Sequence, residues 1–375
     1  MNSCWLAEQA EQAIGRLERA GYEAYAVGGC VRDMVRGVTP VDWDLTTSAL
    51  PEQIQAVFAG EKMGLGGLKH GTVTVVLEGC PLEITTYRVD GAYSDSRHPD
   101  QVTFTRSLEE DLARRDFTMN AMAFHPRKGL VDPFGGRQDI ENRCIRCVGE
   151  SSIRFQEDAL RILRAIRFVA RTGFDIELQT RREMEQWAPR LEEIAGERMQ
   201  SELIQIVSGP YVGKALRQCR CVVGIWLPEL AKTFDCDQCS PHHVYCVWEH
   251  TVRAVEISAA DPLIRLTMLF HDIGKPAVRT FDENGRGHFY GHQEAGVEIT
   301  RPILERLRFS RKMTEEILFL IAHHDYPLWA DEKKIRRFLA ENGEDRFRHL
   351  LQVKKADCCG KGIDYIRVGH LLETE

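Results

Sequence analysis

Two aspartates one residue apart, Asp42 and Asp44, follow a glycine turn, Val27-Gly28-Gly29-Cys30-Val31-Arg32-Asp33. In an extended strand, residues two apart project to the same face, so the two carboxylates point together while Trp43 and Leu45 point away. Such a pair is a hard-oxygen site suited to Mg²⁺ bridging nucleotide phosphates. The adjacent glycines let backbone N–H groups approach a triphosphate closely, and Arg32 stands where it can neutralise phosphate charge. This is the chemistry of nucleotidyl transfer. The competing reading is a solvated turn with acids on an exposed strand, and the rest of the chain decides between them.

Further along, Arg114-Arg115-Asp116-Phe117-Thr118-Met119-Asn120 places phosphate donors beside partners for sugar hydroxyls, against the alternative of a helix laced with salt bridges. In Glu157-Asp158-Ala159-Leu160-Arg161, the spacing predicts Asp158 and Arg161 one helical turn apart, a carboxylate acceptor beside a guanidinium donor. That pair matches the base edges of C and A, which offer an exocyclic amine next to a ring-nitrogen acceptor; G and U show the opposite order. A mismatched edge would leave buried polar groups unpaired, so two side chains can select a base without a template. Viewed alone, they are an ion pair supporting a helix. A second constellation comprises His250, His271-Asp272 and Asp357, imidazoles and carboxylates able to converge from three helices on one divalent ion. His292, His323 and His324 can widen that site or make it dinuclear.

The elements that must hold these groups divide the chain in three. Residues 1–150 alternate short helical and strand patterns: a helix over Trp5 to Ala20, strand Tyr22 to Val27, helix Cys30 to Arg36, strand Val41 to Thr46, helix Pro51 to Phe58, and strands His70 to Leu77 and Leu82 to Tyr87. The polar stretch Arg88 to Pro99 reads as a mobile loop. Residues 151–220 form a helical neck rich in arginine, and 221–375 a further helical region entered through a polar linker, Phe234 to His243.

The 375 residues carry a net charge of -7, so a polynucleotide surface must be a local basic patch. No apolar run reaches the roughly 20 residues that span a bilayer, and the start lacks a basic region ahead of an apolar core, which together predict a cytoplasmic protein without membrane contact. The twelve cysteines read as reduced thiols. Cys144-x-x-Cys147 and Cys236-x-x-Cys239 have the spacing of half zinc sites but lie far apart in sequence.

Taken together, the motifs resemble the class II CCA-adding tRNA nucleotidyltransferases, within the wider family that includes bacterial poly(A) polymerases. The resemblance runs from about Tyr25 to Ser208 through five blocks: the glycine and Asp-x-Asp block, Lys69-His70-Gly71-Thr72-Val73-Thr74-Val75 with the polar loop, the Arg-Arg-Asp block, Glu157-Asp158-x-x-Arg161, and Glu197-Arg198-Met199-Gln200-Ser201-Glu202-Leu203. It implies an α+β fold: a polymerase-beta-like head with a mixed sheet, then an all-α neck and body ending in a helical HD domain. It further implies metal binding by Asp42 and Asp44, triphosphate contacts from Gly29 and Arg32, and a nucleotide site lined by Arg114, Arg115, Asp116 and Asn120. Asp158, Arg161, Arg164 and Arg167 would form the amino-acid template and its supports. Glu83, on a neighbouring strand, reads equally well as an auxiliary carboxylate or as an exposed strand residue. Substrates would be tRNA, CTP and ATP.

Two sister activities share the head. Poly(A) polymerases are marked by an Arg-Arg-Phe segment where this chain has Met63-Gly64-Leu65-Gly66-Gly67-Leu68, and enzymes adding only C residues lack the intact loop that Arg88 to Pro99 supplies. Both differences favour full CCA addition. The His250, His271-Asp272 and Asp357 order resembles HD metal phosphohydrolases, which implies a divalent transition metal; in some relatives that domain resembles a phosphatase or cyclic phosphodiesterase, in others it is structural. A rival reading makes the chain such a hydrolase with an RNA-binding head. Family members continue into a helical tail that grips the tRNA elbow, whereas this sequence stops at Glu375, so the tail bears on tRNA affinity.

Overall fold

The computed structural model describes residues 6–90, 102–240, 244–327 and 332–362. The chain divides into two compact units, one formed by Met1–Arg161 with Phe174–Trp187, the other by Ile162–Gly173 with Ala188–Glu375.

The first unit starts with α1 (Glu8–Arg19), whose Ala10, Ala13, Ile14 and Leu17 are buried at helical spacing. It continues through β1 (Ala24–Val27), α2 (Gly29–Val35), β2 (Trp43–Thr47), α3 (Pro51–Val57), β3 (Lys62–Gly64), β4 (Thr72–Leu77) and β5 (Cys80–Thr86). Then come β6 (Arg88–Asp90), β7 (Val102–Phe104), α4 (Leu108–Ala113), β8 (Ala123–His125), β9 (Gly129–Val131), α5 (Gly136–Glu141), β10 (Cys144–Ile145) and α6 (Ser151–Glu157). A seven-stranded sheet runs in the order β3-β4-β5-β2-β1-β8-β9. It is mixed: β2 pairs parallel to β5 while β1 pairs antiparallel to β2. Trp43, Leu45, Leu82 and Ile84 turn inward from β2 and β5, which leaves Asp44 and Glu83 as register partners on the other face.

Two expectations shift. The predicted strand Val41 to Thr46 begins instead at Trp43, so Asp42 precedes the strand rather than lying in it, and Val41 is 84% exposed. Arg88–Asp90 is a strand paired with Val102–Phe104 and not loop; the remainder of the predicted mobile loop lies outside the described residues.

The predicted continuous neck helix is interrupted. α6 ends at Glu157, Asp158 is extended (φ -147, ψ 104), and α7 (Leu160–Thr172) starts afresh. Asp158 Oδ1 accepts the Leu160 N–H at 3.0 Å, a capping contact that stabilises the new helix start and competes with continuation of the old one. The division between units falls inside the first turn of α7. β11 (Asp175–Ile176) pairs parallel to β10, and α8 (Leu178–Trp187) follows it in the first unit.

The second unit is helical: α9 (Gly196–Ser208), α10 (Val212–Gln218), α11 (Arg220–Trp226), α12 (Pro228–Ala231), α13 (Val247–Ile257), α14 (Pro262–Phe270) and α15 (Lys275–Val278). A hairpin of β12 (Thr280–Phe281) and β13 (Gly287–His288) precedes α16 (His292–Arg306), α17 (Arg311–His323), α18 (Glu332–Asn342) and α19 (Glu344–Gly360). Residues Ile264 to Phe270 of α14 are all buried, which marks it as the central helix. Its Arg265 is a buried guanidinium donating to Val207 O at 2.6 Å, Gly209 O at 2.8 Å and Ser258 O at 3.4 Å, so it closes the carbonyl ends of α9 and α13.

Candidate active site and metal cluster

At the head, the turn between β1 and α2 brings the chemistry together. Gly28 has φ +77, a conformation that side chains rarely adopt, and a Cβ there would stand 3.1 Å from Arg115 Nη1 and 3.9 Å from Asp44 Oδ2. The glycine therefore opens the space between a guanidinium and a carboxylate. Asp44 is flanked by Glu83 on β5 and by Asp42. Burial, then Glu83 and Asp42, push its carboxyl up to about 6 against the pull of Arg115 and Arg32. A face that gathers carboxylates and raises one of them fits a divalent cation, which would relieve the repulsion.

Behind this face lies a buried polar network. Arg32 binds Asp33 through two bonds, Nε to Oδ1 at 2.9 Å and Nη2 to Oδ2 at 3.0 Å, and reaches Asn120 Oδ1 at 2.8 Å. Asn120 Nδ2 donates in turn to Asp116 Oδ1 at 3.1 Å. These predicted nucleotide-site residues are thus brought together, with Arg32, Asp116 and Asn120 all buried. Arg114 and Arg115 share Asp111, at 2.9 and 3.3 Å. Asp111 is fully buried and also accepts from Thr46 Oγ1 at 3.1 Å; burial opposes its charge, but Arg115 and Arg114 hold the carboxyl below its ordinary range. Sequence reading missed Asp111. The signal was present in an acid three and four residues ahead of two arginines at the end of a helix.

Asp158 stands in the break between α6 and α7 rather than inside one continuous helix, and its carbonyl accepts the Arg161 N–H at 3.0 Å. Arg161 is bound to Glu157, and donates to Arg154 O at 3.2 Å and Arg114 O at 3.1 Å. Arg164 and Arg167 belong to the second unit, where Arg164 lies over the Phe168 ring and Arg167 pairs with Glu202 at 3.1 Å.

The second unit holds a cluster of six groups. His250 on α13, His271 and Asp272 after α14, Asp357 on α19, His292 opening α16 and His324 after α17 are all buried. His250 Nε2 stands 3.1 Å from His271 Nε2, 3.4 Å from Asp272 Oδ2 and 3.1 Å from Asp357 Oδ1. On the other side, Asp272 Oδ1 lies 3.7 Å from His292 Nε2 and 3.8 Å from His324 Nε2, which are 3.1 Å apart. Among the described residues, the groups able to hold a metal ion are His250-His271-Asp272 and Asp272-His292-His324, with Asp272 common to both and no cysteine in either.

The donors fit such an ion. Nδ1 of His271, His292 and His324 faces the carbonyls of Met268, Phe289 and Ile321 at 2.7, 2.8 and 2.7 Å. A carbonyl can only accept, so Nδ1 carries hydrogen and Nε2 is turned into the cluster, the orientation a metal-ligating imidazole needs. Lys275 Nζ meets Asp272 Oδ2 at 2.7 Å and Lys361 Nζ meets Asp357 Oδ2 at 2.6 Å. Burial works against both carboxylates, yet His271 with Lys275, and Lys361 with His250, hold them well below the usual range. Burial would lower His271, but Asp272 and Asp357 push it up to about 9. His323 falls outside the cluster: its ring stacks on Phe319, with centroids 4.2 Å apart. Asp325, unanticipated, stands at the rim with Oδ2 3.4 Å from His292 Nε2. Asp325 has no motif to announce it, and Lys361 has only its spacing of four residues from Asp357 at the end of α19.

Fold and site define a nucleotidyltransferase-type head followed by a helical body with an HD-type cluster. Residues 24–146 match the Poly A polymerase head domain, 173–220 the probable RNA and SrmB- binding site of polymerase A, and 242–360 the HD domain. The CCA-adding enzyme of Geobacillus thermodenitrificans is 51% identical over 209 residues, 56% of this chain and 51% of the relative. The match therefore spans about half the length of such curated relatives. The crystal structure of the Bacillus stearothermophilus CCA-adding enzyme in complex with CTP is 32% identical, with a TM-score of 0.73, and the alignment covers 98% of this chain and 81% of that one. The Thermotoga maritima CCA-adding enzyme complexed with tRNA, at 21% identity and a TM-score of 0.63, shares the fold, with 98% and 80% of the two chains covered. The chain belongs to the CCA-adding enzyme family. Among the described residues, no helix is long and apolar enough to cross a membrane.

Proposed function

We propose that this chain adds C, C and A to the 3′ end of tRNA from CTP and ATP, without a nucleic-acid template, in the cytoplasm. The observation that carries the reading is the carboxylate face of Asp44 and Glu83, opened toward Arg115 by Gly28. The tRNA 3′-oxygen attacks the α-phosphorus in line, a new O–P bond forms, the bond to the β-phosphate oxygen breaks, and pyrophosphate leaves. Asp42 and Asp44 would hold two Mg²⁺ ions, one of which would acidify the attacking hydroxyl, whose proton passes to solvent, while the other would stabilise the leaving oxygens.

The chain's own side chains do the rest. Arg115 and Arg114, kept extended by Asp111, bind triphosphate oxygens, and the Gly28-Gly29 turn brings the backbone near them. The Arg32-Asn120-Asp116 network forms a rigid wall for the sugar. Selection of C and A by Asp158 and Arg161 requires an exchange of partners: Arg161 leaves Glu157, and the Asp158 carboxylate leaves the Leu160 N–H. Arg164 and Arg167 support that template from α7, and other arginines between Arg154 and Arg182 attract the tRNA end.

Incubation of tRNA lacking its CCA end with labelled CTP and ATP tests the reading by product length. Three additions are expected. A ladder of A residues points to poly(A) polymerase and a stop after two C to a partial enzyme, and either overturns it.

The histidine cluster favours a second activity, phosphoester hydrolysis. His250, His271, Asp272 and Asp357 would hold a divalent transition metal, and His292 with His324 a second, and such an ion would supply Lewis-acid activation of water. Lys275 and Lys361, already at the two carboxylates, are placed to meet a substrate phosphate when an ion takes those oxygens. Hydrolysis of a nucleoside 2′-phosphate with Ni²⁺, Co²⁺ or Mn²⁺, lost on Asp272→Asn, is expected; no turnover with any of these ions overturns this reading.

A further inference from the structure

The segment ahead of α13 sends one amide side chain into the second unit. Gln238 is buried, and both ends of its amide are engaged: Nε2 donates to Tyr245 O at 3.0 Å, and Oε1 accepts from Lys275 Nζ at 2.8 Å. An ammonium only donates and a carbonyl only accepts, so the amide has one orientation; turned over, it would set Nε2 against the ammonium and Oε1 against the carbonyl. The backbone around it is pinned as well. The Asp237 carbonyl accepts from Arg279 Nη1 at 3.2 Å, the Cys239 carbonyl accepts the Gly287 N–H at 3.0 Å, and the Cys236 carbonyl accepts the Val247 N–H at 2.9 Å. A Cβ at Gly287 would stand 2.4 Å from the Gln238 carbonyl oxygen, so the glycine lets β13 run this close.

Lys275 divides its donors between two partners of different kind. Nζ lies 2.8 Å from Gln238 Oε1 and 2.7 Å from Asp272 Oδ2, and the Phe289 ring is 5.6 Å away. The Lys275 side chain is 7% exposed, against 25% for Lys361, the lysine on Asp357. That difference matters once a divalent ion claims the carboxylates. Lys361 can turn to water, whereas Lys275 is enclosed, and a buried ammonium stripped of its anion is costly unless another acceptor stays with it.

We propose that Gln238 is a positioning residue of the histidine cluster: its amide oxygen retains the Lys275 ammonium when a divalent ion displaces it from Asp272, and so sets how tightly that ion is held. This rests on the reading of the cluster as a metal centre. Gln238 is not one of the cluster's ligands, and its own bond to Tyr245 O keeps Oε1 aimed at Lys275 whichever partner Asp272 takes. A carboxylate at this position would pair with Lys275 and shield the incoming ion from its charge. An apolar side chain would leave the ammonium to Asp272 alone, in direct competition with the ion.

The test titrates Ni²⁺ into the chelator-stripped full chain by calorimetry, with Asp272→Asn defining the heat from other sites. Gln238→Leu is expected to weaken the Asp272-dependent affinity about tenfold, and Gln238→Glu to bind more tightly than the wild type. Both variants lose the donor to Tyr245 O, so an amide that merely packed the segment would weaken binding in both. Loss in both variants, or an unchanged affinity in either, overturns the proposal. Gln238→Glu, close in shape to the native side chain, decides the question by itself if the leucine variant does not fold. A wild-type chain with no Asp272-dependent uptake of Ni²⁺ overturns the metal reading, and the proposal with it.

Discussion

Asp44 at the head and Asp272 in the helical unit are both carboxylates placed for cations, but their surroundings have opposite sign. Around Asp44 the nearest acids, Glu83 and Asp42, outweigh Arg115 and Arg32, and with burial they push the carboxyl up to about 6. Around Asp272, His271 and Lys275 overcome a deeper burial and hold the carboxyl well below its ordinary range. The head site is left with a surplus of negative charge, which on the proposed function cations would offset, whereas the helical cluster is balanced by the chain's own ammonium and imidazolium groups. An open site assembled with its substrate tolerates that frustration; a buried one must be neutralised in advance.

The largest effect that can break this comparison is Asp44→Ala. Incorporation of C and A should fall by at least about 10³-fold, with phosphoester hydrolysis by the same preparation retained. Residual incorporation near wild type would remove Asp44 from the chemistry. In the helical unit, Asp272→Asn should abolish hydrolysis and bound transition metal, measured by elemental analysis after gel filtration, while incorporation persists. Because it leaves Lys275 and His271 without their anion, it should also destabilise the metal-free protein by about 3–5 kcal/mol in urea unfolding.

Asp44→Asn should do the reverse. A carboxyl with a folded pKa near 6 binds its proton more tightly folded than unfolded, so the metal-free fold loses stability as pH rises from about 4 to about 6. Above that window the charge costs on the order of 3 kcal/mol, which the asparagine removes, and Mg²⁺ should raise the melting temperature of the wild type only. A destabilised Asp44→Asn at pH 7.5 would invert the comparison. The smallest effect is expected from Glu83→Gln: Asp44 titrates lower, observable by NMR of the carboxyl carbon, and incorporation changes by less than about tenfold.

The chemistry was legible where it is written in contiguous residues. Gly28-Gly29 and His271-Asp272 each carry their geometry in the local backbone, whereas Asp42 precedes the strand that holds Asp44. What local pattern could not give is the partner chosen when two neighbours compete. His323 and His324 are chemically identical, but successive residues at a helix end point about 100° apart, so only the packing of Phe319 assigns His324 to the cluster. Asp158 has helical neighbours on both sides, and the capping bond to Leu160 overrides their periodicity. Lys361 becomes visible only when α19 brings Asp357 to His250.

Asp111 gives the head a different kind of control. Its carboxylate holds Arg115 Nη2 at 3.3 Å, while Asp44 attracts the same guanidinium across the gap that the glycine leaves. The two acids therefore compete for one counter-ion, and Asp111 wins because it also holds Arg114 and the Thr46 hydroxyl. Without that buried rival, Arg115 would be drawn toward Asp44 and, on the proposed function, away from the triphosphate it is placed to meet.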